Sequence, residues 1–465
     1  MSSPGLVRTL RIRSKRKAGG LGILTTALGD AGALIGEIHT ARIGHNYTLR
    51  NFHLLLDDEE HLQQVIDAIT QLQDSQIVEV SNMVRGVHHG GKIRTISRVP
   101  LLGLGALSAA HVPGVREMVH AMEEEPRLAS VFTSLQRTVA IVSDGSGFVG
   151  LGKVRPASML PVIEAKAMLL AQLGGLSSIP LCVDVDSEEQ LVQTVVAIAP
   201  SCGAVLLDSI SSPRGPRAAI KIAERLRIPV YHDDADSPAI VGLAAVINAC
   251  RRVNLDLTKV TIGQIGLGTA GGAIARLVMK HTGRPVLGDD VHPGAVSRHL
   301  SAGGIASSID DIMARADVVI ANTGHGGVIA PGKVREGQVI IALSEPRPEI
   351  EPYDAQLAGA AFAADGKSIS GSTPAPGVLL GALAVKASVI SDDMRIAAAV
   401  AMAAAATEED LVPTPLDTGV HARIAAAVAR VAVVSGLAGC AVQESLLTPE
   451  IFDEVIRDLR QLPLA

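Results

Sequence analysis

The sequence contains few aromatic residues and few cysteines. Its 465 residues include no Trp, 3 Tyr and 5 Phe, so stacking platforms for nucleic-acid bases are not expected. The formal net charge of −6 also argues against a nucleic-acid-binding protein. The cysteines are far apart and form no Cys-x-x-Cys pair, which favours a reducing cytoplasm over a disulfide framework or a zinc site. They are Cys182, Cys202, Cys250 and Cys440.

Long apolar runs are also missing. The most apolar stretches, 396–406 and 424–438, are rich in Ala and are shorter than the roughly 18 to 20 apolar residues of a membrane-spanning helix. No apolar core follows the basic N-terminus, so a secretory signal is not expected. Hydrophobic residues make up 48% of the chain and charged residues 19%, as in ordinary globular proteins. At about 150 residues per domain, the length predicts two or three domains in a cytoplasmic protein.

Residues 1–82 form a separate pattern of strands and helices. Helical periodicity after Gly19-Gly20 and a capping box at Asp57-x-x-Glu60 predict two helices. Together with apolar strands they give the order βαββαβ, which resembles an ACT domain, a ferredoxin-like module that binds amino acids and regulates an attached enzyme. The resemblance implies an amino-acid effector held by the Gly19-Gly20 amides; a structural or dimerisation module is the alternative. The predicted strands are 6–12, 33–43, 47–56 and 77–80.

The rest of the chain predicts two further domains, at residues 83–250 and 251–465. A polar connector, 81–98, contains His88-His89-Gly90-Gly91 and is typical of a hinge or linker. From about residue 100, apolar runs alternate with helical patterns, which predicts a mostly parallel sheet. The last helical patterns have no strands of their own, so we expect them to pack against the preceding domain. They cover 418–438 and 449–462.

A glycine-rich loop lies between a predicted strand and a predicted helix. The apolar run 260–265 continues into Gly266-Leu-Gly268-Thr269-Ala270-Gly271, and a helical pattern follows. This order is typical of a dinucleotide-binding Rossmann fold. Gly266 permits the tight turn, Gly268 lets the backbone approach a pyrophosphate, and Gly271 allows close packing of the helix. Thr269 and Ala270 complete the predicted cofactor loop.

Acidic residues after the next apolar stretch indicate which dinucleotide binds. Asp289-Asp290 lies about 20 residues beyond the loop, where a carboxylate accepts from the ribose 2′-hydroxyl and repels a 2′-phosphate. NAD is therefore predicted rather than NADP. Asn322 closes a further apolar strand, 318–322, and is predicted to lie at the same site.

Eight ordered motifs resemble the bacterial malic enzyme family over roughly residues 95–445. The resemblance implies an α/β fold with a ferredoxin-like (ACT) module, a substrate domain and a Rossmann NAD-binding domain. It also implies hydride transfer from a 2-hydroxy acid, loss of the adjacent carboxylate, and a divalent metal on the hydroxyl and ketone oxygens. The motifs are Leu107-Ser-Ala-Ala-His111-Val-Pro113-Gly114-Val115, Val142-Ser-Asp144-Gly145-Ser146 with Gly150-Leu-Gly152, Glu164-Ala-Lys166-Ala167, Ile210-Ser-Ser-Pro213-Arg214, His232-Asp233-Asp234, the glycine-rich loop, Ala342-Leu-Ser-Glu345-Pro346-x-Pro348-Glu349-Ile350 and Val412-Pro-Thr-Pro415.

The resemblance implies catalytic roles for three residues. Lys166 falls at the general-base lysine of the family, and Asp233 at the aspartate that partners it. His111 falls at the catalytic tyrosine and would protonate an enolate near pH 7. A lysine acts as a base near neutrality only if burial lowers its pKa, so a lowered pKa is expected for Lys166.

The metal ligands of the family fall at Asp208, Ser209 and Asp234. Ser209 replaces a carboxylate with a neutral hydroxyl, whereas Mg²⁺ and Mn²⁺ favour carboxylate oxygens in an octahedron. A divalent metal at Asp208 and Asp234, completed by the substrate, is one hypothesis. A site that no longer works is the other.

Further departures from the family pattern lie in the expected substrate pocket. The substrate-binding Asn of the family is Glu345 here, Asp236 lies in an altered run after Asp234, and Arg155 replaces a usual glycine. The later asparagine pair of the family falls at Ser370-Gly371. Carboxylates in the pocket would repel an anionic substrate unless a cation lay between them. We therefore expect an acidic cleft that is neutralised by a metal or by a cationic group on the substrate.

Three functions are compatible with these patterns. The first is NAD-dependent oxidative decarboxylation of malate or a modified malate-like 2-hydroxy acid. In the second, the protein is a catalytically silent regulator that binds NAD and an amino acid. The third keeps hydride transfer but loses decarboxylation, because an enolate is poorly stabilised without a metal. The resemblance implies a homodimer or larger homo-oligomer in each case.

Overall fold

The computed structural model describes residues 6–148, 150–369 and 373–460. The chain divides into two compact units between Arg94 and Thr95, inside the predicted connector. No helix within the described ranges is long and apolar enough to cross a membrane. The domain boundaries expected after residues 82 and 250 remain predictions.

The first unit contains a four-stranded antiparallel sheet, with the predicted βαββαβ order. Its elements are β1 (Leu6–Lys15), α1 (Gly20–Asp30), β2 (Leu34–Ile43), β3 (Tyr47–Leu56), α2 (Glu59–Thr70) and β4 (Ser75–Ser81), followed by α3 (Met83–His88). The strand order is β2-β3-β1-β4, which is a ferredoxin-like arrangement. Apolar residues of both helices and of the central strands form one buried core, including Leu10, Leu28, Phe52 and Val65.

The cap of α2 differs from the sequence expectation. Asp58, and not Asp57, is the N-cap residue, because its carboxylate accepts a hydrogen bond of 2.9 Å from the backbone N–H of His61. Asp57 lies instead 3.4 Å from the imidazole of His61. Both neighbours are Asp, so the sequence pattern alone does not distinguish which one caps the helix.

The second unit begins with short helices and a parallel sheet. The strand order is β6-β5-β7-β8, and all residues of β5 and β7 are buried. Burial of this kind explains their continuous apolar sequences, because helices cover both faces of such a sheet. The elements are α4 (Leu104–Ala110), α5 (Gly114–Glu124), α6 (Ala129–Phe132), β5 (Thr138–Ser143), α7 (Leu160–Gly174), β6 (Ser177–Cys182), α8 (Glu188–Ile198), β7 (Ala204–Leu207), α9 (Arg214–Arg225) and β8 (Val230–His232).

A second parallel sheet follows the long helix α10 (Asp233–Arg252). Its elements are β9 (Ile262–Ile265), α11 (Thr269–Thr282), β10 (Leu287–Asp289), α12 (Pro293–Ser301), β11 (Ile305–Ala306), α13 (Ile309–Arg315), β12 (Val318–Ala321), β13 (Val339–Ala342), α14 (Pro352–Leu357) and β14 (Phe362–Asp365). The strand order is β11-β10-β9-β12-β13-β14. This is a doubly wound Rossmann sheet, with its topological switch point between β9 and β12.

The C-terminal helices pack against the earlier part of the second unit, as the sequence predicted. They are α15 (Ala375–Ala384), α16 (Asp392–Ala405), α17 (Thr418–Val434) and α18 (Pro449–Arg460). Helix α16 lies along α10, and α15, α17 and α18 contact α7. The buried amide of Asn248 in α10 donates to the carbonyl oxygens of Ala403 and Leu411, at 2.9 and 2.8 Å.

Candidate active site

Residues that follow the strands of both parallel sheets line one cavity of about 450 Å³. Such a position is expected for a ligand site in an open α/β sheet. Lys166 reaches the cavity from α7, and the other predicted residues come from the segments directly after four strands. Six of the residues predicted from the sequence lie here: Lys166, Asp208, Asp233, Asp234, Asn322 and Glu345. Ser209 and Ser237 also line it.

Lys166 and Asp233 form an ion pair inside the cavity. The Lys166 ammonium donates to Asp233 Oδ2 and lies 3.7 Å from Asp208 Oδ2. Asp233 Oδ1 accepts a hydrogen bond of 2.6 Å from the Ser237 hydroxyl, which lies 2.9 Å from the Tyr231 hydroxyl. Asp233 begins α10, where the positive end of the helix dipole favours a carboxylate. Both oxygens of Asp233 therefore have donors.

The pKa of Lys166 is raised, contrary to the expectation of a lowered value. The attraction of Asp233 outweighs the opposing effect of burial, and Asp208 adds to it. Burial acts to raise the pKa of Asp233, but the combined effect of Lys166 and Ser237 is larger and acts to lower it. The pKa of Asp233 is therefore below its ordinary value. Lys166 is therefore an ammonium in this structure. A carboxylate within hydrogen-bond reach stabilises the charged lysine more than burial destabilises it.

Asp208 and Ser209 form the turn after β7. Burial and the nearby Asp233 raise the pKa of Asp208 to about 6. The Ser209 hydroxyl donates to Asp208 Oδ1 at 2.6 Å. Ser209 also has φ of 56°, a left-handed conformation that is uncommon for a residue with a side chain. Backbone strain of this kind often occurs at functional sites.

Two buried carboxylate oxygens in the cavity have no hydrogen-bond donor: Asp208 Oδ2 and Asp234 Oδ2. Lys166 Nζ lies 3.7 Å from the former oxygen, and His232 Nε2 lies 3.6 Å from the latter. Buried carboxylate oxygens without donors are costly, so they fit a cation. Across the described ranges, however, no group of three His, Cys, Asp or Glu residues is placed to hold a metal. Among the described residues, Asp208 and Asp234 are thus two carboxylates in the cavity that each have an oxygen without a donor.

Asp236 lies outside the cavity, and this corrects the sequence expectation. Its carboxylate accepts from Arg395 Nε at 2.7 Å and Arg395 Nη2 at 3.2 Å, and from the His232 backbone N–H at 3.0 Å. Asp236 is buried and does not line the cavity. The expected acidic cluster therefore loses one member, because Arg395 neutralises it. Arg395 was missed because it is 159 residues away and no motif connects the two positions.

Two other expected positions in the described part of the chain are not among the residues that line the cavity. His111, at the end of α4, and Arg155, before α7, are both exposed. Neither lines the cavity with Lys166, so Arg155 does not oppose its carboxylates here. The catalytic role of His111 stays a prediction. Ser370-Gly371 lies outside the described residues.

The glycine-rich loop has the backbone geometry that its sequence predicts. Gly266 has φ of 89°, and a Cβ there would lie 2.3 Å from the Asn322 carbonyl oxygen. A Cβ on Gly271 would lie 2.1 Å from the Gly266 oxygen. In contrast, nothing lies within 4 Å of a Cβ built on Gly268. The first and third glycines are thus required by the protein, whereas the second faces open space beside the N-terminus of α11.

The two predicted ribose contacts differ in their surroundings. Asp290 Oδ2 accepts from the Leu267 backbone N–H at 2.7 Å, and Oδ1 accepts from the His292 N–H at 2.8 Å. Asp290, which directly follows the neighbouring strand β10, therefore stabilises the glycine-rich loop by a hydrogen bond. Asp289 ends β10, and burial raises the pKa of its carboxyl group.

A doubly wound sheet with this glycine-rich loop, together with a cavity that contains a lysine and several carboxylates, is typical of a dinucleotide-dependent α/β oxidoreductase. Comparison with known proteins gives the particular family. Residues 104–198 match the profile of the malic enzyme N-terminal domain. The chain is 43% identical over 437 residues to NAD-dependent malic enzyme 1 of Bacillus subtilis, covering 94% of this chain and 100% of that protein.

Two further comparisons agree. The NAD-dependent malic enzyme of Geobacillus stearothermophilus is 32% identical over 462 residues, covering 92% of this chain and 95% of that protein. The crystal structure of malic enzyme from Pyrococcus horikoshii has a TM-score of 0.74 at 32% identity, covering 80% of this chain and 93% of that chain. The chain belongs to the malic enzyme family.

Proposed function

We propose that the protein is an NAD-dependent malic enzyme that oxidatively decarboxylates malate or a closely related 2-hydroxy acid. The observation that carries this proposal is the single cavity in which Lys166 and Asp233 lie with Asp208, Asp234 and Asn322. Relatives named NAD-dependent malic enzymes, at 43% and 32% identity over nearly the whole chain, support it.

NAD would bind with its pyrophosphate at Gly268 and the first N–H groups of α11. Among the described residues, none has an atom within 4 Å of a Cβ built on Gly268, and a helix N-terminus favours phosphate. Asp289 would accept from the ribose hydroxyls, because Asp290 already accepts from two backbone N–H groups. We expect weaker binding of NADP, since its 2′-phosphate would meet these carboxylates.

Asp208 and Asp234 would hold a Mg²⁺ or Mn²⁺ ion, with substrate and water supplying the other oxygen ligands. When bound, such a metal polarises the oxygen of a 2-hydroxy acid and of the derived ketone. Asp234 Oδ2 is suited to this role because it has no hydrogen-bond donor in the protein. The Ser209 hydroxyl points to Asp208 Oδ1 and leaves Oδ2 for the cation.

Lys166 would act mainly as a proton donor. Its raised pKa keeps the ammonium charged, and Asp233 holds the Nζ atom at the cavity. Loss of carbon dioxide leaves an enolate that must gain a proton, which Lys166 can deliver. The neutral amine left behind would then accept the hydroxyl proton of the next 2-hydroxy acid as its hydride passes to NAD, which restores the ammonium. Ser237 and Tyr231 keep Asp233 oriented, so that the ammonium stays in place.

The proposal is tested by incubating the protein with malate, NAD and Mn²⁺ and following NADH by its absorbance. Malate-dependent NADH formation, with a clear preference for NAD over NADP, is the expected result. Absence of NADH formation, with NAD binding retained, would favour the silent regulator. Equal use of NAD and NADP would contradict the argument from the acidic residues.

Glu345 favours a second candidate substrate. It lines the cavity where the family has a neutral amide, so it would repel one carboxylate of malate. A malate-like acid with an ammonium group would pair with Glu345 instead. Comparing malate with amino-substituted analogues, in the wild type and in Glu345→Asn, distinguishes the two substrates. The variant should improve the use of malate and impair that of the amino analogue.

The first unit would bind an amino-acid effector, and the enzyme would be a homodimer or larger. The ferredoxin-like sheet order of the first unit supports the amino-acid effector.

Exposed apolar surface supports the homo-oligomer. Helices α4 and α5 contain no buried residue. Large apolar side chains exposed near them are Leu101, Leu102, Leu104, Val131 and Phe132. Contiguous exposed apolar surface is typical of an interface. Thermal-shift screening with amino acids and sedimentation analysis test these proposals.

A cytoplasmic location also belongs to this proposal. All four cysteines are free thiols in the structure, and two of them, Cys202 and Cys250, are buried. Unpaired thiols are typical of a reducing compartment. Fractionation of cells that produce the protein would test the location.

A further inference from the structure

Glu349 is a buried carboxylate beside the cavity for which the proposed reaction has no role. It follows β13 by seven residues and is 0% exposed. Oε1 accepts from the Thr323 N–H at 2.7 Å and from the Ser344 hydroxyl at 2.5 Å. The Thr323 hydroxyl also lies 2.8 Å from Oε1, and the Ser344 N–H donates to Oε2 at 3.2 Å. All these donors are neutral.

These donors come from two separate loops. Thr323 belongs to the loop after β12, and Ser344 to the loop after β13. The Ser344 hydroxyl also accepts from the Gly324 N–H at 2.7 Å, so the two loops are joined directly as well. The backbone adds another connection, since the Ile329 N–H donates to the Glu349 carbonyl oxygen at 3.0 Å.

The residues next to these donors line the cavity. Asn322 immediately precedes Thr323, and Glu345 immediately follows Ser344. Asn322 and Glu345 both lie in the cavity with Lys166 and Asp233. A shift of either loop would therefore move a cavity residue relative to the lysine.

Joining two loops through a buried carboxylate carries a desolvation penalty. Removing its charge from water costs free energy unless several donors compensate. Charge-assisted hydrogen bonds to backbone N–H groups are short and directional, and so they fix the backbone more tightly than neutral contacts do. The arrangement suits a site where small displacements matter, because misplacement by about 1 Å can reduce a reaction rate by about 10²-fold.

We propose that Glu349 is a positioning residue that holds Asn322 and Glu345 at the reacting end of the cavity. It acts through Thr323 and Ser344 and does not touch substrate or cofactor. The inference rests on the proposed function, because it assigns the Asn322 and Glu345 loops to the reacting end of a cofactor and substrate site.

The test is Glu349→Gln, which keeps the shape but places an amide N–H₂ among donors. We expect kcat to fall by about tenfold to 10²-fold, the size that misplacement gives. The KM for NAD should change by less than about threefold, because Gly268 and α11 bind the other end of the cofactor. Ser344→Ala, which removes one donor, should change the same quantities in the same direction by a smaller factor.

Glu351→Gln is the matched control, because it makes the same change two residues away on an exposed side chain. It should leave kcat and KM unchanged. Equal changes in kcat and KM in Glu349→Gln, or no change in kcat, would overturn the proposal. If Glu349→Gln does not fold, Ser344→Ala decides by the same criterion.

A second measurement does not depend on activity. Backbone hydrogen exchange of peptides covering residues 322–326 and 343–346 should rise in Glu349→Gln and stay at the wild-type rate in Glu351→Gln. Unchanged exchange in both loops would overturn the proposal even if the wild type proved inactive on malate. An inactive wild type with the expected exchange would instead contradict the proposed function alone.

Discussion

The two sheets of the second unit contribute different kinds of groups to the candidate site. The sheet that contains β9 contributes the backbone of the glycine-rich loop, where Gly266 and Gly271 make close contacts and Gly268 leaves open space. It also contributes the Asn322 and Glu345 side chains to the cavity. The β7 and β8 side contributes charged side chains that hold one another, with Lys166 between Asp208 and Asp233. A backbone site depends on a few adjacent residues, whereas a charged site depends on partners from distant segments. Substitutions in the two sheets should therefore impair different properties of the protein.

The largest effect is expected where a buried charge loses its partner. Arg395→Met would leave the Asp236 carboxylate buried without a cation, since Arg395 is the guanidinium that pairs with it. Breaking a buried pair by removing one partner costs about 3–5 kcal/mol. The free energy of unfolding, from denaturant titration, should fall by about this amount. Arg395→Lys should restore part of it, and a loss below about 1 kcal/mol in Arg395→Met would contradict the assignment.

Lys166→Ala should separate catalysis from cofactor binding. We expect kcat to fall by about 10²-fold or more, because the cavity loses its proton donor. NAD affinity should stay nearly unchanged, since the cavity that Lys166 lines contains no residue of the glycine-rich loop. Lys153→Ala, at an exposed lysine, is the control. A near-normal rate in Lys166→Ala would contradict the proposed mechanism.

Two glycine substitutions should distinguish a ligand contact from a packing contact. Gly268→Val should abolish NAD binding with little loss of stability, because no contact within 4 Å of its Cβ is found in the part of the chain that the structure describes. Gly271→Ala should lower the unfolding temperature as well, because its Cβ would lie 2.1 Å from the Gly266 oxygen. Calorimetric titration with NAD and thermal unfolding measure the two effects. The same stability loss in both variants would contradict the distinction.

Adding a third carboxylate at position 209 tests whether this position belongs to the metal site. Ser209→Asp adds an acidic side chain next to Asp208, so Mn²⁺ should bind more tightly, by roughly tenfold. Ser209→Asn adds a similar side chain without the charge and is the control. Titration of Mn²⁺ followed by electron paramagnetic resonance gives both affinities. Equal affinity in the wild type and both variants would exclude position 209 from the metal site.

The smallest effect concerns the pH dependence of stability without added metal. Burial raises the pKa of Asp208 to about 6 in the folded protein, from 3.8. The folded state then binds the proton more tightly than the unfolded state, so this group destabilises the fold as the pH rises from about 4 to about 6. Asp208→Asn should remove that part of the slope. Thermal unfolding of both proteins over this range is the measurement, and parallel curves would contradict the shifted pKa.

Local features of the fold were predictable from sequence, and long-range partnerships were not. The strand, glycine-rich loop and helix from residue 260 onward are contiguous, so their pattern identified the turn at Gly266. The position of Lys166 beside Asp233 followed from the resemblance to the malic enzyme family. The pKa of Lys166 was predicted with the wrong sign, because the outcome depends on a distance to Asp233 that the sequence does not contain. Arg395 could not be assigned to Asp236 for the same reason.

The contacts of Glu349 were also not predictable from the sequence. It belongs to a motif that resembles the malic enzyme family, but the motif alone predicts no role for it. Its four donors come from the ends of two strands, β12 and β13, whose adjacency depends on the strand order of the sheet. A buried carboxylate with neutral donors has no sequence signature of its own, because an exposed Glu in a loop looks the same.

We propose that the glycine-rich loop and the cavity around Lys166 serve one reaction, which couples hydride transfer to decarboxylation. The most direct test is the ratio of carbon dioxide released to NADH formed, with malate, NAD and Mn²⁺ in one reaction. We predict one carbon dioxide per NADH, and loss of both products together in Lys166→Ala. NADH formation without carbon dioxide would contradict it, and would show that the protein is a dehydrogenase that does not decarboxylate its product.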